Sequence, residues 1–517
     1  MRTMMFATAA VLALGAGAAH ADFTLTILHT NDVHDRFEPT TSSGAPCAAE
    51  KNAAGECFGG VARLVTAVRD ARDGAGNTLL LDAGDWFQGT LFYTRYKHEA
   101  AAEFINRLGY DAMAVGNHEL DDGPKELAAL ADAVETPLLA ANMDAENEPL
   151  LKGKIARHTI VEVGGQRVGI IGLTPQTNPE LTSPGPNLTF GAPSQAVQAE
   201  VDALQAERID KIILLSHSGY VQDQQVAKST SGVDVIVGGH SHTLLSNTDP
   251  KAEGAYPTMV NGVPIVTAQA YGRYLGELTV TFDDDGRVTA AEGAPLLLDA
   301  AVKEDADTVA RVAELAEPLQ AIREEVVGEA TGPITQETCR TQECPMGNLV
   351  AEAQLARVAD QGVQVALVNG GGLRAGIDEG PVTMGEVLTV LPFQNTLSTF
   401  RINGQALQAA LENGVSQMEE GAGRFPQVAG MTFVVDPAAP AGSRISDVTV
   451  QGAPLDPEAE YLAVSNNYVR NGGDGYSMLV DARDAYDYGP DLAEVVAEYL
   501  QAHQPYQPQT DGRITVK

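Results

Sequence analysis

The stretch AVGNHELDDG, residues 114–123, sets Asn117 beside His118, with Asp121 three residues on, directly after a short apolar run. Four other apolar runs end in the same kind of chemistry. TILHT is followed by Asp32 and His34 in NDVHD, LLLDA by Asp85 in GDWFQG, IILLS by His217, and VDVIVGG by His240 and His242 in GGHSH. Carboxylates, imidazoles and an amide oxygen are ligands for zinc or manganese, and seven such side chains are what two ions sharing a bridging carboxylate require. Taken singly, His34 reads as a satisfied loop histidine and Asp85 as a helix cap. His217 and the GHSH pair argue otherwise, because buried strand ends rarely carry imidazoles without a purpose. Five coincidences together favour a dinuclear metal site.

Elements able to bring these residues together are legible around them. From residue 22 to about 300, strand-like runs (FTLTIL, NTLLLD, DAMAV, KIILLS, VDVIVGG) alternate with amphipathic segments such as GGVARLVTAVRDARD and AAEFINRLGY, which indicates an α/β domain. Ligands of a parallel sheet collect beyond the carboxyl ends of its strands, so the five ends are expected to converge. Residues 301–330 are expected to link two units through a helix, with Val309, Val312, Leu315 and Leu319 at helical spacing and a kink at Pro318. A second mixed α and β unit follows over 331–517, with DPAAPAGS as an exposed loop between strands.

Composition narrows the partners. The formal net charge of −36 argues against a nucleic-acid polymer or an anionic membrane, both of which need clustered Lys and Arg. An anionic substrate would have to be drawn in by local groups or bound cations. Residues 1–21 read as a cleaved secretory signal peptide with Ala19-His20-Ala21 at the cleavage site, and no later run is long enough to span a bilayer. Four cysteines in an exported chain suggest two local disulfides, Cys47 with Cys57 and Cys339 with Cys344; neither spacing suits a zinc knuckle.

The motifs NDVHD, GDWFQG, GNHELD, SHSG and GGHSH resemble the five motifs of the calcineurin-like metallophosphoesterases, and the whole mature chain resembles the secreted 5'-nucleotidase family. That resemblance implies a four-layer αββα metallophosphatase sandwich over 22–300, followed by a smaller mixed α+β nucleotide-binding domain. It implies that Asp32, His34 and His242 hold one divalent ion, that Asn117, His217 and His240 hold the other, and that Asp85 bridges them. Zinc is the first expectation, with manganese, cobalt or iron as alternatives. The two ions would supply hydroxide near neutral pH and neutralise the phosphoryl oxygens. His118 and Asp121 would be the catalytic dyad, with Glu119 and Asp122 facing solvent.

The second half bears on the substrate. VQVALVNGGGLRAGI is a strand feeding a glycine loop between Asn369 and Arg374; Arg340 lies in the second cysteine loop; GRFPQVAGM offers Phe425, and NNYVRNGGDGYSML offers Tyr468 and Asp474. An isolated Phe or Tyr is usually core. Two rings with guanidinium groups and a carboxylate are nonetheless what a nucleoside phosphate requires. By the resemblance, Phe425 and Tyr468 sandwich the base, Asp474 and Asn369 contact the sugar, and Arg340 and Arg374 meet the phosphates. Tyr468 stands where the family typically has Phe, and PFQNTL, residues 392–397, departs from the glycine pair expected after Phe393. The function implied is a periplasmic 5'-nucleotidase, monomeric or homodimeric, acting on nucleoside monophosphates, with di- and triphosphates or UDP-sugars as further candidates. The alternatives are a 2',3'-cyclic-nucleotide phosphodiesterase or a thiosulfohydrolase of the same frame, or a non-catalytic nucleotide-binding protein.

Overall fold

The computed structural model describes residues 22–41, 46–393, 395–487 and 489–517; the signal peptide expected over 1–21 lies outside them. Strand Phe23–Thr30 runs parallel to Thr78–Asp82, which is followed in the same sheet by Ala112–Ala114 and Leu138–Leu139. Antiparallel strands Tyr274–Phe282 and Val288–Leu297 complete this sheet of six. A second six-stranded sheet is built on the parallel strands Gln166–Leu173, Ile212–Ser216, Val235–Gly238 and Val263–Val266.

The period-two alternation of strand side chains makes four layers of these sheets. Leu25, Ile27, Leu79 and Leu81 point inward and meet Val168, Ile170, Ile213, Leu215, Val235 and Val237 from the other sheet. Their neighbours Leu28 and Leu80 point outward, against Leu64, Phe104 and Ile105 of the helices Val61–Gly74 and His98–Leu108. On the opposite side Ile212, Leu214 and Ile236 pack against Val197, Val201 and Leu204 of the helix Pro193–Ala206. Strands covered on both faces must be apolar throughout, which accounts for runs such as TLLLD and IILLS.

The C-terminal unit repeats the logic around a five-stranded sheet with Val365–Asn369 and Glu460–Asn466 at its centre. Ala366 and Val368 face the helices Pro345–Arg357 and Leu492–Ala502, whereas Val365 and Leu367 face the helix Gly404–Gly414 and a second, four-stranded sheet. DPAAPAGS does join two strands, Met431–Val435 and Ile445–Val450.

Two expectations for 301–330 need correction. The helix Ala306–Ala316 gives way at Glu317–Leu319, where Pro318 sits, and resumes as Gln320–Arg323. Its inward stripe is Thr308, Val312, Leu315 and Leu319, while Val309 is 42% exposed, one residue off that stripe. The end of the segment is not helical: Val326–Ala330 is a strand paired with Gly380–Thr383 of the C-terminal unit, and so belongs to it. Both disulfides, Cys47–Cys57 and Cys339–Cys344, are formed.

Candidate functional site

The carboxyl ends of three strands from the first sheet and two from the second open onto one site. Asp32, His34, Asp85, His240 and His242 all adopt φ between +52° and +71°, the left-handed region that non-glycine residues avoid. Such strain persists where surrounding contacts hold the backbone, and it aims these side chains at a common centre. Gly116 permits the tightest approach: a Cβ there would lie 2.2 Å from Asp85 Oδ1.

Asp85 occupies the middle. Its Oδ2 is 3.0 Å from His217 Nε2, 3.9 Å from His118 Nε2 and 4.0 Å from His34 Nε2. Asp32 Oδ1 is 3.3 Å from His242 Nε2, and His34 Nε2 is 3.2 Å from the same nitrogen. On the other side His240 Nδ1 is 2.8 Å from Asn117 Oδ1. Asp32, His34 and His242 thus form one cluster of ligand atoms within 4.8 Å of one another, and Asp85, His217 and His240 form a second.

This set fits divalent cations. Asp32 Oδ1 and His217 Nε2 are buried with no hydrogen-bond partner outside the cluster; His217 Nε2 lies 3.0 Å from Asp85 Oδ2 and Asp32 Oδ1 3.3 Å from His242 Nε2. His34 Nδ1 donates to Phe87 O at 3.0 Å and His217 Nδ1 to Ala83 O at 2.6 Å, which turns each Nε2 inward as the ring nitrogen that would face a cation. Burial pushes His240 and His242 down to about 3 and about 4, leaving them neutral as ligands must be. Burial would lower His217 too, but Asp85 and Asp32 outweigh it and raise its pKa to about 10. A proton there offsets the two carboxylates, a charge that a bound cation takes over.

His118 Nδ1 donates to Asp121 Oδ2 at 2.6 Å, and the Asp121 Oδ1 accepts from the Thr182 hydroxyl at 2.7 Å. Burial acts to lower the His118 pKa, but Asp121 and Asp85 together raise it. Asp122 is exposed, as expected, and accepts from Tyr93 and Lys97. Glu119, expected in solvent, is instead fully buried. Its Oε1 accepts from the backbone N–H of Trp86 at 2.8 Å and Phe87 at 3.4 Å, and its Oε2 from Gly116 at 2.7 Å and Asp85 at 3.1 Å. The acid therefore ties the turn carrying Asp85 to the turn carrying Asn117 and His118. No local pattern announces this, because three of the four N–H groups come from a turn more than thirty residues away.

The C-terminal unit closes directly over the centre. Arg374 places Nη2 2.9 Å from His34 Nε2, and its carbonyl accepts from Tyr271 at 3.3 Å and Arg36 at 3.5 Å. Phe393 stacks on His118 with ring centroids 5.4 Å apart. Burial would raise the Tyr271 pKa, yet the guanidiniums of Arg374, Arg36 and Arg340 bring it down, a sign of a positive field within an acidic protein. Arg36, Tyr271 and Thr182 were invisible as site residues in the sequence, although Arg36 adjoins NDVHD; Phe393 was noted in PFQNTL but given no role.

Further along the cleft Asn369 Nδ2 donates to Asp474 Oδ2 at 2.7 Å, and the Tyr468 hydroxyl lies 3.1 Å from Asp474 Oδ1. The glycine loop is needed for close backbone approach, since a Cβ on Gly370 would meet Cys339 O at 2.3 Å. Arg340, in the loop of the second disulfide, donates to Gly421 O at 3.5 Å. The expected base sandwich is not formed here. Phe425 is 0% exposed within the apolar core of this unit, and the ring of Tyr468 lies over Gly473, where a Cβ would come within 2.5 Å of it. Both rings take apolar surface out of water by packing against their own domain.

A family model described as calcineurin-like phosphoesterase matches residues 25–244, and one described as 5'-nucleotidase, C-terminal domain, matches 326–481. A 5'-nucleotidase of Diplobatis ommata is 39% identical over 96% of this chain and 90% of its own length. The crystal structure of a 5'-nucleotidase precursor from Thermus thermophilus superposes with TM-score 0.91 at 42% identity, covering 96% of this chain and 99% of that one. The sulfate thiohydrolase SoxB of Thermus thermophilus shares the fold, at TM-score 0.80 and 22% identity over 95% and 96% of the two chains.

Proposed function

This chain belongs to the 5'-nucleotidase family of calcineurin-like phosphoesterases, and we propose that it is an exported enzyme hydrolysing nucleoside 5'-phosphates to nucleoside and phosphate. Membership makes it a metal-dependent phosphoric monoester hydrolase; the count of two ions, their identity as zinc, the base and the compartment are the proposal. Export is supported by the leader-like residues 1–21 and by two disulfides, and among the described residues no helix is long and apolar enough to cross a membrane.

Asp32, His34 and His242 would hold one ion and Asn117, His217 and His240 the other, with Asp85 between them. Bound there, the ions supply an activated water at neutral pH and neutralise phosphoryl charge. Asp121 orients His118 through Nδ1 and favours its protonated form, so that Nε2, facing the cleft, stabilises charge developing at the phosphoryl or leaving oxygen. Arg374 and Arg340 bind phosphate oxygens, with the planar fork of each guanidinium suited to that task. Asn369 and Asp474 take the sugar hydroxyls, and the half-buried ring of Tyr468 beside them takes the base.

The observation that carries this reading is the place of Arg374. Its guanidinium reaches the metal cluster at His34, while Nη1 donates to Gly371 O of the loop that follows Asn369, so a phosphate end and a sugar end share one cleft. The shared frame does not separate a nucleotidase from a thiosulfohydrolase, but a carboxylate–amide pair 2.7 Å apart suits the hydroxyls of a ribose. Assaying AMP, UDP-glucose, 2',3'-cyclic AMP and a thiosulfate ester side by side tests the choice. AMP is expected to be turned over fastest; preference for the cyclic ester or the thiosulfate ester would replace this reading with one of its alternatives, and tight nucleotide binding with no product under any metal would make it a binding protein.

A further inference from the structure

The strand Gln166–Leu173 lies beside Ile212–Ser216, whose end carries His217, yet its own end offers no metal ligand. Its loop goes elsewhere. Thr174 is fixed by Asn142, which accepts from the Thr174 N–H at 3.0 Å and donates to its carbonyl at 2.8 Å. Asn178, wholly buried, donates to the Thr174 hydroxyl at 3.0 Å and opens the short helix Asn178–Leu181. The Thr182 N–H closes that helix on Asn178 O at 3.0 Å. Thr182 is thereby delivered at a fixed point, with its hydroxyl 2.7 Å from the Asp121 oxygen that His118 does not use.

We propose that Thr182 is a positioning residue for the dyad, the third member of a chain running Thr182, Asp121, His118; this rests on the dyad reading above. A carboxylate held through one oxygen turns about a soft terminal torsion. Hydrogen bonds on both oxygens fix its plane and keep Oδ2 facing the imidazole. That fixes the His118 ring, and with it the direction in which Nε2 faces the cleft. The helix leading to Thr182 also packs on the turn Gly473–Gly475 that carries Asp474, so the same segment that holds the dyad abuts the candidate sugar site of the other unit.

The test is a double-mutant cycle on the metal-loaded full chain, with kcat and KM for AMP and metal content measured for each variant. Thr182→Val, which keeps shape and removes the hydroxyl, is expected to lower kcat about 10–100-fold with KM and metal content near wild type. Thr182→Ser is expected to restore most of that loss. In an Asp121→Ala background Thr182→Val should cost nothing further, because the two act as one unit. Wild-type turnover in Thr182→Val, or an undiminished loss in the Asp121→Ala background, would overturn the inference. If Thr182→Val loses metal or fold, the same cycle is read with Thr182→Ala, and additivity there overturns it equally. His118→Ala separates this from the parent reading: it should cost about two to four powers of ten with metals retained, and full activity would remove the dyad itself.

Discussion

Glu119 gives the residue scale its clearest case. Two oxygens accept four backbone N–H groups, so Glu119→Gln puts an amide donor against two of them in either orientation. The turns bearing Asp85 and Asn117 then lose their common tie, and zinc affinity is expected to fall about 10–100-fold, as seen when the supports of metal ligands are removed. Competition titration with a chelating dye checks this, and unchanged affinity would mean the turns hold themselves. A second residue prediction concerns pH. Burial, aided by Asp210, raises Asp234 from 3.8 to about 7, while its Oδ2 accepts from the Ile212 N–H at 2.8 Å at the end of the sheet remote from the candidate metal ligands. The folded chain therefore keeps a proton that the unfolded chain has lost between about pH 4 and about pH 7, and stability falls as pH rises through that window. Asp234→Asn keeps the acceptor and removes the titration, so its Tm advantage over wild type should grow from pH 4 to about pH 8. A difference independent of pH would contradict the assignment. What the sequence exposed at this scale were residues whose type is itself the chemistry, such as His217 and Asp32. Glu119 was misread because an acid in a polar turn looks solvated until its distant N–H partners are seen, and Thr182 lies in no motif at all.

At the scale of elements, the loop closed by Cys339–Cys344 fixes Arg340, and Gly370 packs against the carbonyl of Cys339, so disulfide, glycine loop and guanidinium form one support. Replacing both Cys339 and Cys344 by Ser is expected to raise KM for AMP several-fold while kcat for a simple aryl phosphate changes little, since the candidate metal ligands stand on other strands. Equal losses on both substrates would show the loop to be structural for the whole chain. The strands were legible because burial on both faces demands uninterrupted apolar runs, as in IILLS. Their division was not: the five chemical ends arise from two sheets, three and two, and long-range pairing leaves no mark in local periodicity. For the same reason the strand Val326–Ala330 escaped notice at the end of a helical stretch, its partner lying at Gly380–Thr383.

On the scale of the whole molecule, a chain with net charge −36 gathers its cations where an anionic ester must sit. Arg36 comes from one unit and Arg340 and Arg374 from the other, and a contact of Lys51 with Asp378 at 2.7 Å joins the units. Phe393 from the C-terminal unit covers His118 of the other, so the proposed substrate residues and the proposed dyad meet at a single seam. The two-unit plan was readable from the change of motifs along the chain, whereas the covering of Phe425 depends on how the whole unit packs. The central claim is that the clustered ligands hold the cations on which hydrolysis of a nucleoside 5'-phosphate depends. It is tested most directly by following phosphate release from AMP by the purified chain as isolated, after EDTA, and after zinc or manganese is restored. The account predicts turnover that EDTA abolishes and either metal recovers; turnover that survives complete removal of metal, or none from AMP with metals bound, would contradict it.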